Sequence, residues 1–101
     1  MAYNIEPTED AEAELDAIKR HDRKKIIDEV DKHLKHQPTV ATRNRKCLTA
    51  VEPGFEYIPP LWELRVGDYR VFYDVDEELE IVHVRAIRRK SPTQRTRDII
   101  Q

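Results

Sequence analysis

Two arginines lie at equal distances on either side of a Gly67-Asp68 pair, and together they suggest a definite chemistry. Glycine in the first position of a two-residue turn is typical of a β-hairpin, and such a turn places Arg65 directly opposite Arg70. Facing like charges destabilise a hairpin, whereas guanidinium groups bind phosphate oxygens through paired hydrogen bonds. The pair therefore predicts an anion-binding site. The alternative is that each is a surface arginine paired with Glu63 or Asp68.

More candidate side chains join the same sheet face if Glu77-Glu78 forms a second two-residue turn. Arg85 then pairs with Arg70, and His83 pairs with Phe72. Phe72 would be a stacking platform for a base, or it would fill space against the tail. His83 would transfer protons, because its unperturbed pKa is close to 6.5, or it would be a packed strand histidine. A slip of one residue would move His83 and Arg85 to the opposite face.

The distribution of charge is more informative than the net charge of −2. Two segments concentrate basic residues and contain no acid. Such clusters of positive charge can bind phosphate locally even when the chain as a whole is nearly neutral. The alternative is that these basic residues only form a solvent-exposed surface. The basic residues are Arg43, Arg45 and Lys46 in the first segment, and Arg85, Arg88, Arg89, Lys90, Arg95 and Arg97 in the second.

Other kinds of site are disfavoured. The single cysteine, Cys47, cannot form an internal disulfide. His33 and His36 have no third ligand nearby in the sequence, so neither a metal site nor a cofactor is expected. No apolar run approaches the roughly 18 residues of a membrane span, and the first residues show no secretory leader. We therefore expect a cytoplasmic protein.

The periodicity of apolar residues predicts the elements that position these side chains. The predicted fold class is α+β, in one domain spanning residues 1–101: an N-terminal helical hairpin packed on one face of a small, mainly antiparallel β-sheet. Thr8 and Asp22 are predicted to cap the two helices. The predicted elements are a strand at 3–5, helices at 9–18 and 23–36, a long loop at 37–60 with a short strand near 47–51, strands at 61–66, 69–75 and 79–86, and a tail helix after Pro92 that docks Ile99 and Ile100.

The stretch Leu61–Val75, which reads LWELRVGDYRVFYDV, resembles the central hairpin of RelE/ParE-type toxins, in which an arginine lies within a similar GDYR strand. The following strand with its basic ending Arg88-Arg89-Lys90 is also similar to the end of that family's sheet. The resemblance implies a toxin of a toxin–antitoxin pair that a cognate antitoxin blocks. RelE-like members cut messenger RNA in the ribosomal A site without metal.

The resemblance also implies roles for particular residues. Arg70 matches the strand arginine that contacts the scissile phosphate, Arg65 matches a frequently basic position, and Arg88 or Arg89 matches the basic residue after the last strand. The tail at 91–101 lacks the tyrosine or histidine that several relatives use for proton transfer. The candidate substitutes are His83, Lys90 and Glu63.

Three functions stay open at this point: a ribosome-dependent endoribonuclease, a ParE-like DNA gyrase inhibitor, and a non-toxic interaction remnant. The opposed arginines favour the first, and the missing tail tyrosine favours the other two. The expected partners are the ribosome, messenger RNA and an antitoxin segment of acidic, amphipathic character. The predicted catalytic residues are Arg70, Arg65, Arg89, Arg88, His83 and Glu63, and the predicted nucleic-acid-binding residues are Arg43, Arg45, Lys46, Phe72, Arg85 and Lys90.

Overall fold

A five-stranded sheet forms the centre of the protein, whose computed structural model describes residues 2–101. Met1, the first residue of the predicted domain, lies outside the described residues. The elements are β1 Asn4–Pro7, α1 Glu9–Asp16, α2 Arg20–Leu34, β2 Arg45–Leu48, β3 Leu61–Val66, β4 Tyr69–Asp76, β5 Ile81–Arg89 and α3 Thr96–Ile99. The strand order is β1-β5-β4-β3-β2; β1 runs parallel to β5 and the other neighbours are antiparallel, which confirms the predicted fold class.

The helices cover one face of the sheet, α1 against β5 and α2 against β3. Thr8 is the N-cap of α1, and its hydroxyl accepts a hydrogen bond of 3.2 Å from the Ala11 amide. The prediction that Asp22 caps α2 is wrong, because the helix begins at Arg20; the Asp22 carboxylate instead accepts from the Tyr69 hydroxyl at 3.2 Å. The buried core on this side comprises Ala11, Ile26, Val30, Leu34, Trp62, Leu64, Val66, Val71, Tyr73, Val82, Val84 and Ile87.

A second core lies on the opposite face, over only part of the sheet. The loop between β2 and β3 and the C-terminal tail close over it, and Ile99 and Ile100 dock there as predicted. Burying apolar surface on both faces stabilises a domain of this size, and the end of this face near Arg65 and Arg70 stays open. The second core comprises Leu48, Leu61, Phe72, Ala86, Ile99 and Ile100, with Val51, Phe55 and Tyr57 packed against it.

The predicted register between β4 and β5 is wrong. The connection is a loop of residues 77–80 rather than a two-residue turn, because Asp76 pairs with Ile81. The pairing is also irregular between Phe72 and Tyr73. Phe72 pairs with Ala86 and Tyr73 pairs with Val84, so Arg85 lies between the two partners. Bulges of this kind re-aim side chains. Arg88 therefore lies opposite Arg70, where Arg85 was expected.

None of the helices formed within residues 2–101 has the length and apolar character needed to cross a membrane.

Candidate functional site

The predicted pairing of Arg65 with Arg70 is confirmed, and the turn between them explains it. Gly67 has φ +54°, a left-handed conformation that glycine adopts without steric cost, and β3 and β4 pair in the expected register on either side. Arg65 and Arg70 therefore lie side by side on the face opposite the helices.

The two guanidinium groups differ in their surroundings. Arg70 is only 9% exposed, and its Nη1 donates to the carbonyl oxygens of Gly67 and Tyr69, both at 2.8 Å. Burial lowers the pKa of Arg70 from its usual value, and the nearby charge of Arg65 lowers it further, while Glu63 and Asp68 act in the opposite direction. Arg65 is exposed and forms no ion pair with a residue that the structure describes. The result is one fixed and one accessible cation side by side.

These arginines line a cavity of about 290 Å³ at the open end of this face, which we call the cationic cavity. Five of its side chains are basic and one is acidic. It therefore presents an excess of positive charge to solvent and suits an anionic ligand. The cationic cavity is lined by Arg43, Asn44, Lys46, Glu63, Arg65, Arg70, Lys90 and Thr96.

Glu63 is the acidic member, and it is 5% exposed. Its Oε1 lies 3.7 Å from Arg70 Nε, and its Oε2 lies 3.8 Å from Lys46 Nζ. Both separations are too long for hydrogen bonds, whereas the Thr96 hydroxyl donates to Oε1 at 3.1 Å. The carboxylate thus neutralises part of the charge around Arg70 without locking either cation.

Arg88 and Arg89, two of the predicted catalytic residues, do not line the cationic cavity. Arg88 contacts the Glu14 carboxylate, and its Nη1 donates to the carbonyl oxygens of Ile99 at 2.9 Å and Gln101 at 2.6 Å. It holds the C-terminal tail. Arg89 pairs with Tyr69 and therefore lies on the helix-covered side of the sheet.

His83 and Arg85 are also outside the cationic cavity. His83 pairs with Asp74, four residues along β4 from Arg70, a distance of roughly 13 Å in an extended strand. Arg85 Nε donates to Asp74 Oδ2 at 2.7 Å and its Nη2 to Oδ1 at 3.2 Å. Asp74 is fully buried and also accepts from the Ile58 amide at 2.9 Å. Arg85 therefore stabilises the β2–β3 loop, and this predicted nucleic-acid-binding residue does not line the cationic cavity.

Two further predictions are wrong because the side chains are buried. Phe72 is fully buried in the second core, with its ring centroid 6.1 Å from that of Phe55, so it cannot stack on a base. Arg45 pairs with Leu64 and faces the helices, where it contacts the His33 carbonyl and donates to the Val40 carbonyl at 3.0 Å. Both residues organise the fold.

Asn44 and Thr96 line the cationic cavity although the sequence analysis did not select them. Asn44 lies inside the basic segment 43–46, and its carbonyl accepts from the Arg65 amide at 2.8 Å, so its position was a usable signal. Thr96 is 33 residues from Glu63, and no sequence pattern connects the two. The predicted residues that do meet here are Arg43, Lys46, Glu63, Arg65, Arg70 and Lys90.

Residues 5–92 match a family model described as the ParE toxin of the type II toxin–antitoxin system parDE. A comparison with curated proteins finds no match.

Solved structures of similar fold include the archaeal RelE–RelB complex from Pyrococcus horikoshii, at 15% identity and a TM-score of 0.66, covering 92% of this chain and 100% of that one. The RelBE2 complex of Mycobacterium tuberculosis matches at 18% identity and a TM-score of 0.67, covering 89% and 100%. The intact RelBE complex of E. coli matches at 21% identity and a TM-score of 0.56, covering 93% and 100%. At these identities the likeness concerns the fold.

Proposed function

The chain belongs to the ParE toxins of type II toxin–antitoxin systems, and we propose, from the side chains of the cationic cavity, that it acts by cleaving messenger RNA on the ribosome. The cationic cavity is the proposed active site. The observation that carries the proposal is the pair of Arg65 and Arg70, which lie side by side in a cavity whose described lining has one carboxylate, Glu63.

The proposed reaction is attack of a ribose 2′-oxygen on the adjacent phosphorus, with departure of the 5′-oxygen of the next nucleotide. Negative charge grows on the phosphate oxygens in the transition state. Fixed donors stabilise such charge because they need no reorganisation, and Arg70 is fixed by the carbonyls of Gly67 and Tyr69. Arg65 is exposed and is the proposed contact to the incoming phosphate.

Two proton transfers complete this chemistry. A proton must leave the 2′-hydroxyl, and another must reach the departing 5′-oxygen. Glu63 is the proposed acceptor, because it is the carboxylate that lines the cationic cavity. Lys90, on the same lining, is the proposed donor. The proposed reaction needs no metal ion.

The proposed partners are the ribosome and messenger RNA, in the cytoplasm, together with a cognate antitoxin. The neighbouring folds come from RelE–RelB and RelBE complexes, which supports an antitoxin partner for this chain. An acidic antitoxin segment over the cationic cavity would neutralise the positive charge there.

Ribosomes programmed with a defined messenger provide the test. The purified protein is expected to produce fragments with a 2′,3′-cyclic phosphate and a 5′-hydroxyl, and Arg65→Ala is expected to remove most of that cleavage. Arg20→Ala, a change of an exposed arginine at the start of α2, is the control and should cleave normally. Intact messenger after incubation with the wild-type protein would exclude the endoribonuclease.

Gyrase inhibition is the second candidate function. It is favoured by the family that the chain matches and by a cationic cavity that has neither tyrosine nor histidine in its described lining. Supercoiling by purified gyrase, measured with the same protein preparation, separates the two candidates. Lost supercoiling together with intact messenger would favour the gyrase inhibitor.

A further inference from the structure

We propose that the Glu63 carboxylate makes the cationic cavity selective for RNA over DNA, by accepting a hydrogen bond from the 2′-hydroxyl next to a phosphate held by Arg65 and Arg70. The inference rests on the proposed function, since it names what the same cavity recognises. It assigns Glu63 a role in ground-state binding, which can be measured without cleavage.

The first argument is the unused hydrogen-bonding capacity of Glu63. An ionised carboxylate is an acceptor with about four lone-pair positions. Among the described residues, the hydroxyl of Thr96 is its one hydrogen-bond donor, because Arg70 Nε and Lys46 Nζ lie at 3.7 and 3.8 Å. Its Oε2 therefore retains acceptor positions for a donor on the ligand.

The second argument comes from charge. A carboxylate beside the fixed arginine weakens the binding of a simple anion, because a phosphate oxygen cannot donate to Glu63 and is repelled by it. A ligand that combines an anionic oxygen with a neighbouring hydroxyl donor fits both Arg70 and Glu63. An internal RNA phosphodiester has this combination. DNA lacks the hydroxyl, and a terminal phosphate carries more negative charge near Glu63.

The third argument is that the tail holds Glu63 in place. Thr96 is the first residue of α3, and the Asp98 carboxylate accepts from the Arg95 amide at 2.8 Å to close that turn. Arg88 fixes the far end of the tail through the Ile99 and Gln101 carbonyls. Thr96 is therefore a positioning residue: its hydroxyl orients Oε1 and leaves Oε2 directed towards the Lys46 side of the cationic cavity.

The test is equilibrium binding of three labelled single strands of one sequence, as RNA, as DNA and as 2′-O-methyl RNA, at low ionic strength and without ribosomes. The wild-type protein is expected to bind RNA about tenfold more tightly than either analogue, which is the effect of one hydrogen bond to a charged group. Glu63→Gln is expected to lower that ratio, because a neutral amide oxygen accepts a weaker hydrogen bond than a carboxylate, and to tighten DNA binding, because a negative charge is lost. Thr96→Val is expected to reduce the ratio partly.

The matched controls are Glu56→Gln and Thr93→Val, which change an exposed glutamate and an exposed tail threonine outside the cationic cavity and should keep the wild-type ratio. Equal affinity of the wild-type protein for RNA and DNA, an unchanged ratio in Glu63→Gln, or no binding of either strand would overturn the inference. If the protein cleaves messenger RNA on the ribosome but binds RNA and DNA equally well, only the proposed selectivity is refuted. If it prefers RNA through Glu63 but does not cleave messenger RNA, only the proposed nuclease activity is refuted.

Discussion

Arg65 and Arg70 occupy opposite positions on β3 and β4, yet only Arg70 has its guanidinium anchored by backbone carbonyls. The anchoring oxygens belong to Gly67 and Tyr69, which are part of the hairpin that brings the two arginines together. One short turn therefore both pairs the cations and fixes one of them. The exposed Arg65 can adjust to a ligand, whereas Arg70 presents a donor whose direction is set before binding.

Replacing Arg70 with lysine tests the value of that fixed geometry. Arg70→Lys keeps the positive charge and loses the planar donor group, so we expect messenger cleavage to slow by about a hundredfold. The loss of two carbonyl contacts should lower the free energy of unfolding by about 1 kcal/mol. Ribosomal cleavage assays and urea unfolding measure the two effects. Arg20→Lys is the control, and equal rates for Arg70→Lys and the wild type would contradict a role for geometry.

The pair of Asp74 and Arg85 is expected to stabilise the fold rather than the site. Asp74 is fully buried and Arg85 is its cationic partner, so removing either member leaves a charge without compensation. We expect Asp74→Ala and Arg85→Ala each to lower the free energy of unfolding by about 3 kcal/mol. The double variant should lose clearly less than the sum, which urea unfolding of all four proteins can measure. Additive losses would show that the two side chains do not interact.

The β3–β4 hairpin could be predicted because its information is local. Gly67 permits the left-handed turn, and the turn then fixes the positions of Arg65 and Arg70. The β4–β5 register depends on a longer loop and a bulge, and neither has a glycine to mark it. Glu80 adopts φ +54° in that loop. The prediction of a two-residue turn consequently placed Arg85 where Arg88 lies.

The composition of the site was predicted where basic residues cluster in sequence or where the β3–β4 hairpin fixes a position. Arg43, Lys46 and Lys90 meet Arg65 and Arg70 as expected. Phe72 was misplaced because alternation along a strand shows which face a side chain takes, but not whether a distant segment covers that face. The tail closes over Phe72 and delivers Thr96 to Glu63. The burial of Phe72 and the contact between Thr96 and Glu63 both depend on how distant segments pack together, which the sequence of one segment does not show.

The conformation of Glu80 predicts a stabilising substitution. A non-glycine residue at φ +54° pays a steric cost that glycine avoids. Glu80→Gly is therefore expected to raise the free energy of unfolding by roughly 0.5–1 kcal/mol, or the melting temperature by about 4 °C, while messenger cleavage is unchanged. Glu78→Gly, in the same loop but without the positive φ, is the control and should bring no gain. A lower melting temperature for Glu80→Gly would refute the steric argument.

The buried hydroxyl of Tyr73 predicts how stability changes at alkaline pH. Burial raises the pKa of Tyr73 above its usual value near 10, and the hydroxyl donates to the Pro38 carbonyl at 2.6 Å. Above pH 10 the unfolded chain loses this proton while the folded protein keeps it, so the free energy of unfolding must fall as pH rises, by about 1 kcal/mol per pH unit from this group. Below pH 9 the contribution of Tyr73 to the free energy of unfolding does not change with pH.

Tyr73→Phe removes the titrating hydroxyl, and the variant should therefore lose less stability than the wild type between pH 9 and pH 11 in urea unfolding. Parallel losses in the two proteins would mean that Tyr73 titrates alike in the folded and unfolded states.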